Sequence, residues 1–375
     1  MNLLKGLRKK YEPLNLIEIN KENLLNNYDF FCGLDQKVWP VLKANAYGHG
    51  IKQVTQILLE RDFEYFVVDG YHEVLEIRKI TKRPVLMIGT INPINFSDIK
   101  WNNLAIMVQD KFSIKELGKL NKKIKIHLKI NTGMNRQGIR LHEIKEIISL
   151  IKKYPKLELE GIFSHLACAD NLSDVENLKQ LEKFKEAIRI IEKNEISLKY
   201  CHLSATAGAV KINDEKINAV RLGIGLYGIN NLSKKDKYFK KFKTLKPVLR
   251  FKTVFTKIFE IEKGDRVGYG GTFMADRKMN VGLIPVGYYE ILDRRLSNKG
   301  FVKYKDKFYP TIGRICMNLA MVNLGKTKAK LFDEVEVVSV NQNDKNSIEK
   351  ISETCQTIPY EILVKINSSI RRTIV

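Results

Sequence analysis

Short apolar or alternating runs recur through the first part of the chain: WPVLK at 39–43, YFVVD at 65–69, PVLMIG at 84–89, LAIMVQ at 104–109, IKIHLKIN at 124–131, LEGIFSHL at 159–166, YCHLSA at 200–205 and AVRLGIGLYG at 219–228. Their length and β-branched content predict strands. Most of the intervening segments have helical spacing: Ile144, Ile147, Ile148 and Ile151 share one face, as do Leu178, Leu181, Phe184, Ile188 and Ile191. Eight such units within residues 38–228 point to an α/β fold of the parallel (β/α)8 TIM-barrel type, slightly compact for its kind. A doubly wound open sheet would need a switch point, and no GxGxxG turn marks one.

After the lysine-rich stretch KKDKYFKKFK at 234–243 the pattern changes. PVLRFKTVFTKIFEIEKGD, NVGLIPVGY, GFVKYKDKFYPTIGRICMNLAMVNL and DEVEVVSV are strand-like, with few helical intervals. Residues 1–242 are therefore expected to form the barrel with an N-terminal extension, and 243–375 a mainly β domain, with the lysine run an exposed segment between them. At 375 residues the chain can bury a large core without staples.

Charge adds little to this picture. The formal net charge is +23, but the lysines are spread along the whole chain, which suits a solvated surface better than a nucleic-acid footprint. Five cysteines without a CxxC pair or zinc-like spacing indicate neither a disulfide framework nor a structural metal, and fit a reducing cytoplasm. The apolar stretch in MNLLKGLRKKYEP is too short for a signal peptide, and no run of about 18 apolar residues occurs, so a soluble protein with no membrane partner is expected.

In a barrel of this type, polar residues at the C-terminal ends of strands read as catalytic. Lys43 ends the first strand, Lys129 the fifth with Arg136 in the loop beyond it, and His165 the sixth; Thr206 follows the seventh, and Arg221, Gly223 and Ile224 lie on the eighth. A lysine among apolar residues has a partly desolvated amine that can attack an aldehyde, for which pyridoxal phosphate is the natural partner. Lys43 taken alone is better read as a side chain that snorkels from a strand end. The glycines of RLGIGLYG let backbone approach a phosphate closely, and Tyr47 and Thr206 can add hydroxyl groups, although either could be an ordinary buried hydroxyl.

Together these residues resemble a known family. VLKANAYGHG (41–50), KINTGMNRQG (129–138), GIFSHLACAD (161–170), RLGIGLYG (221–228), RVGYGGTF (266–273), IPVGY (284–288), GRICMN (313–318) and PYEIL (359–363) are similar, in this order and over nearly the whole chain, to segments of the alanine racemases. The resemblance implies a cytoplasmic, pyridoxal-phosphate-dependent isomerase that interconverts L-alanine and D-alanine and supplies the latter for peptidoglycan. It also implies a homodimer whose active sites combine one subunit's barrel with the other's β domain. Lys43 matches the lysine that anchors the cofactor, and Tyr269 the second catalytic base. Tyr47, Thr206, Gly223, Ile224 and Tyr360 match phosphate contacts, and Arg221, supported by His165, the arginine facing the ring nitrogen. Arg136 and Met317 match substrate contacts, and Tyr288 lines the entrance.

Racemisation needs one base on each face of the α-carbon, and lysine with tyrosine meets that need. Arg136 is the permanent cation able to favour a tyrosine phenolate. An arginine at the ring nitrogen does not give up a proton, which disfavours transamination. Lys129 stands where family members often carry a carbamylated lysine. Three positions depart from the family: Ala205 replaces an asparagine, and Asn131 and Asn318 replace aspartates, so the substrate range is open. A broader, serine or basic amino-acid racemase is one alternative. A non-catalytic pyridoxal-phosphate carrier would typically lack the β domain, and a related decarboxylase would want acidic recognition residues where Asn318 stands.

Overall fold

The computed structural model describes residues 11–375, so most of the N-terminal segment read for targeting lies outside the described residues. Two compact units are present: Lys21–Val248, and Leu249–Val375 with the described residues up to Asn20. The expected division lay at 242/243; Leu16–Ile19 belongs to the second unit because it pairs there.

The first unit is an eight-stranded parallel sheet rolled almost shut. With β1 the N-terminal strand Leu16–Ile19, its strands are β2 (Lys37–Pro40), β3 (Phe66–Val68), β4 (Val85–Met87), β5 (Leu104–Val108), β6 (Ile124–Lys129), β7 (Leu157–Phe163), β8 (Tyr200–His202) and β9 (Ala219–Leu222). All eight strand-like runs of the sequence supply one, paired in the order β2-β9-β8-β7-β6-β5-β4-β3. The ring closes through a single bridge, Val41 to Val67, where Leu42 N–H donates to Val67 O at 2.8 Å. Strands such as β5 are buried at every residue, which explains their unbroken apolar runs.

Two expectations about this unit need correction. In the helix Val175–Glu192, Leu181, Phe184, Ile188 and Ile191 are buried as the periodicity predicts, but Leu178 is exposed. Its first turns instead bury Asn177 and Gln180, which bond to neighbouring loops. The lysine-rich run is no simple exposed linker: Phe242 is fully buried beside Phe30 and Phe31, and buried Asp236 pairs with Lys211 at 2.6 Å.

The barrel interior is aromatic and polar as much as aliphatic. Trp39 packs edge-on against Tyr200 and His202, both at 4.9 Å, and Phe163 stacks flat on His202 at 4.8 Å.

The second unit is mainly β, as expected. Beside β1 stand β10 (Leu249–Val254), β11 (Lys257–Ile261), β12 (Arg266–Val267), β13 (Phe273–Met274), β14 (Met279–Ile284), β15 (Phe301–Tyr304), β16 (Lys307–Ile312), β17 (Ala320–Gly325), β18 (Glu334–Val338) and β19 (Arg371–Ile374). Nine of these form one sheet in the order β11-β14-β17-β16-β15-β18-β10-β1-β19, and β12 pairs with β13. Val267, Met279, Val281, Ile312 and Met321 share an apolar cluster under the short β12–β13 ribbon.

Candidate active site

Lys43 does not end a strand. β2 stops at Pro40, and Lys43 opens a turn in which Ala44, Asn45, Ala46 and Tyr47 all have φ between 51° and 55°. Four consecutive non-glycine residues in the left-handed region are costly, at about 1–2 kcal/mol each. Hydrogen bonds hold them there: Ala46 N–H to Leu42 O at 2.8 Å, Gly48 N–H to Ala44 O at 3.0 Å, and Gly50 N–H to Asn45 O at 2.9 Å. The buried carboxylate of Glu73 accepts from Ala44 N–H at 2.6 Å and from Asp69 N–H at 2.8 Å, tying the turn to the next βα unit. His49 bonds the carbonyls of Ala46 and Tyr47 and stacks on Tyr227 at 4.3 Å.

This turn aims the Tyr47 hydroxyl at the end of β9. A Cβ on Gly223 would lie 2.7 Å from Tyr47 Oη, so only glycine allows the approach. Gly223 and Ile224 lie just beyond the strand, where Ile224 opens a short 3-10 helix, and Thr206 Oγ accepts from Gly225 N–H at 3.0 Å. The structure thus brings Tyr47, Gly223, Ile224 and Thr206 to one cradle.

Arg221, on β9 and 4 % exposed, is held through both terminal nitrogens. Nη1 donates to His202 Nδ1 and His202 O, both at 2.8 Å; Nη2 donates to Ser164 O at 2.7 Å and Leu203 O at 3.1 Å and reaches His165 Nδ1 at 3.2 Å. Burial pulls its pKa down to about 9, leaving it a cation at neutral pH. Lys129 ends β6 with Nζ 4.3 Å over the Phe163 ring. Burial, then Arg221, Arg136 and Lys43, press its pKa down to about 6, so it is mostly a neutral amine at pH 7. Burial and the same cations push His165 well below the usual imidazole range. Lys129, Arg136 and His165 line one small pocket with Thr132 and Met134. The charged groups near Lys129 and His165 are Arg221, Arg136 and Lys43, a set suited to anionic ligands.

In the second unit, Tyr269 stands 70 % exposed on a turn whose flanking Gly268, Gly270 and Gly271 all have positive φ. Tyr288 and Met317 come from adjoining loops: Tyr288 N–H donates to Cys316 O at 3.1 Å, and a Cβ on Gly287 would lie 2.3 Å from Met317 O. Asn318 Nδ2 donates to buried Glu290 Oε1 at 2.7 Å, which gives its amide a local partner. Tyr360 is the second residue of the helix Pro359–Val364.

Sequence reasoning missed several supporting residues. Gln180 binds the loops carrying Thr132 and His165, with Nε2 3.0 Å from Thr132 Oγ1 and from His165 O. Its signal was a polar residue inside a helical face assigned by its apolar members alone. His127 and His202 stood in quoted strand runs, and period-two alternation puts His127 on the same face as Lys129.

The family model for the alanine racemase N-terminal domain matches residues 19–231, and that for the C-terminal domain residues 248–374. An alanine racemase of Francisella philomiragia subsp. philomiragia is 32% identical over 372 residues, covering 96% of this chain and 100% of the relative. The solved alanine racemase of Clostridium difficile 630 superposes with a TM-score of 0.90 at 29% identity, over 98% of this chain and 97% of its own. One from Bartonella henselae, with covalently bound pyridoxal phosphate, shares the fold at a TM-score of 0.86 and 24% identity, over 97% of this chain and 100% of its own.

Proposed function

The chain belongs to the alanine racemase family, and we propose that it interconverts L-alanine and D-alanine using pyridoxal 5'-phosphate held on Lys43, with Tyr269 as the second base. The observation that carries this reading is the barrel mouth. A strained turn presents Lys43 and sends Tyr47 against Gly223, while Lys129, Arg136 and Arg221 gather nearby. That set fits the cofactor and an amino acid: a side chain at Gly223 would fill the cradle, and the Arg136 guanidinium complements a carboxylate.

Bound pyridoxal phosphate supplies the electron sink that makes an amino acid's α-proton removable. Lys43 Nζ takes and returns that proton for the D isomer, and Tyr269 Oη for the L isomer; each positioned base is worth about 10² to 10⁴ in rate. Arg136 receives the substrate carboxylate and stabilises negative charge on the tyrosine. Tyr47, Thr206, the backbone at Gly223 and Ile224, and Tyr360 hold the phosphate. Arg221, braced by His165, faces the ring nitrogen. Met317 and Tyr288 confine the substrate side chain. Lys129 is carbamylated, since a neutral amine is the form that reacts with carbon dioxide, and the resulting anion orients Arg136.

Tyr269, Met317 and Tyr288 are 70 %, 56 % and 45 % exposed, and such apolar surface supports cover by a second copy. The protein accordingly works as a homodimer with shared active sites, in the cytoplasm, where it supplies D-alanine for peptidoglycan. Among the described residues no helix is long and apolar enough to cross a membrane. The decisive experiment incubates pure protein and cofactor with each L-amino acid in deuterated water, following loss of the α-proton signal and appearance of the D isomer. Exchange with alanine above all others supports the proposal; none with alanine, but clear exchange with serine or lysine, overturns it.

A further inference from the structure

Behind Arg221 a line of buried polar groups crosses the barrel interior. His202 Nδ1 lies 2.8 Å from Arg221 Nη1, His202 Nε2 lies 2.9 Å from His127 Nδ1, and His127 Nε2 lies 3.2 Å from Glu160 Oε2. The direction of donation along this line is forced. A guanidinium has only donors, so His202 Nδ1 must accept. His202 then carries its proton on Nε2 and donates to His127 Nδ1. His127 must in turn carry its proton on Nε2, which it donates to a carboxylate that accepts only. Each histidine is neutral in this scheme, and burial lowers the pKa of both.

The surroundings leave little room for rearrangement. His202 lies between Trp39 and Phe163, and His127 stacks on Tyr200. Glu160 is the extra residue of a bulge in β7, since Ile126 pairs with Leu159 and His127 with Gly161. Gly161 makes space for the imidazole, because a Cβ there would lie 2.8 Å from His127 Nδ1. Around Glu160 stand Tyr65 Oη and Lys125 Nζ, each at 2.5 Å, with Lys199 at 3.9 Å. Although burial opposes its charge, bonds from His127, Lys125 and Tyr65 hold its pKa down at about 2.

We propose that Glu160 is a positioning residue for Arg221: through His127 and His202 it locks both imidazoles as Nε2–H tautomers and supplies a relayed counter-charge to the guanidinium. The consequence for cofactor chemistry rests on the reading of Arg221 above; the tautomers do not. Without an acceptor at position 160, His127 would turn its proton toward His202. His202 would then present a donor to a donor, and Arg221 would lose one of its anchors.

The test uses full-length protein loaded with pyridoxal phosphate and labelled with ¹⁵N-histidine, with the six histidines assigned by single replacements. Imidazole nitrogen spectra should show His127 and His202 both protonated at Nε2 only, across neutral pH. Glu160→Gln keeps an acceptor and removes the charge, so the tautomers should persist while the pH midpoint of the cofactor absorbance moves. Glu160→Met removes both, so the His127 tautomer should change as well. A proton on Nδ1 of either histidine in the unmutated protein overturns the proposal. So does a folded Glu160→Met protein whose imidazole and absorbance spectra are unchanged. Should that variant not fold, the unmutated protein still decides the tautomers. Correct tautomers without alanine racemisation would sink the functional reading and leave the relay standing.

Discussion

Replacing Asn318 by aspartate should destabilise this chain in a pH-dependent way. Asn318 Nδ2 donates to Glu290 Oε1 at 2.7 Å, and Glu290 is 7 % exposed, with its other oxygen accepting from Gly287 N–H at 2.8 Å. Aspartate would set two carboxylates in contact; at 2.7 Å and an effective dielectric of about 20, two unit charges repel by about 6 kcal/mol. The pair escapes by binding one proton. Holding a proton on an ordinary carboxyl of pKa about 4.3 at pH 7 costs about 4 kcal/mol, at about 1.36 kcal/mol per unit. A hydrogen bond through that proton returns about 1 kcal/mol, so the net loss is about 3 kcal/mol. The folded pair binds the proton more tightly than the unfolded chain does, so the loss is small near about pH 4 and grows by about 1.4 kcal/mol per pH unit for as long as the pair keeps that proton, through neutral pH. Urea unfolding of both proteins between about pH 5 and 8 measures it. Equal stability at neutral pH, or a deficit that ignores pH, refutes the reasoning. Adding Glu290→Gln to the aspartate variant should recover most of the loss, because the repulsion is pairwise.

Other expectations follow from the barrel mouth and the tyrosine loop. Gly223→Ala drives a methyl toward Tyr47 Oη, so cofactor affinity read by absorbance titration should fall about tenfold or more, a loss of about 1.4 kcal/mol. Activity at saturating cofactor should change much less; unchanged affinity would detach Tyr47 from the phosphate. Labelled bicarbonate should give a carbamate carbon signal that Lys129→Ala abolishes, and intact mass without incorporation disposes of the modification. Tyr269→Phe should slow α-proton exchange from L-alanine by about 10² or more while sparing the D isomer's first exchange; equal loss in both directions would end the two-base scheme. Ala44→Gly should leave stability nearly unchanged, because relief of about 1–2 kcal/mol of left-handed strain offsets the entropy of a new glycine. The loss of about 1 kcal/mol usual for such a change in a right-handed helix would show that the turn is not strained.

The barrel was legible because its strands are short, apolar and evenly spaced, and the positions of Thr206, Gly223 and Ile224 at its mouth were legible because each lies just beyond a strand. What the periodicity could not give is the bulge in β7. A bulge adds one residue to a two-residue alternation, so Glu160 enters the interior where a strict count from Phe163 would alternate its face. The polar line from Arg221 to Glu160 was therefore hidden, although His127 and His202 stood in plain view among apolar neighbours.

The turn after β2 shows the other limit. Asn45, Gly48 and Gly50 are residue types that signal positive φ, but Ala44, Ala46 and Tyr47 are not, and they adopt it all the same. At about 1–2 kcal/mol each, the four left-handed residues from Ala44 to Tyr47 demand about 4–8 kcal/mol from their surroundings. Those surroundings come from distant parts of the chain: the Glu73 carboxylate on Ala44, and Tyr227 beneath Tyr47 and His49. A local reading sees a lysine followed by small residues and infers a tight turn. The handedness of that turn, which sends Tyr47 to Gly223, is decided by contacts that close only when the barrel does. Strain of this kind persists where the fold over-determines it, and here it falls on the segment that presents Lys43.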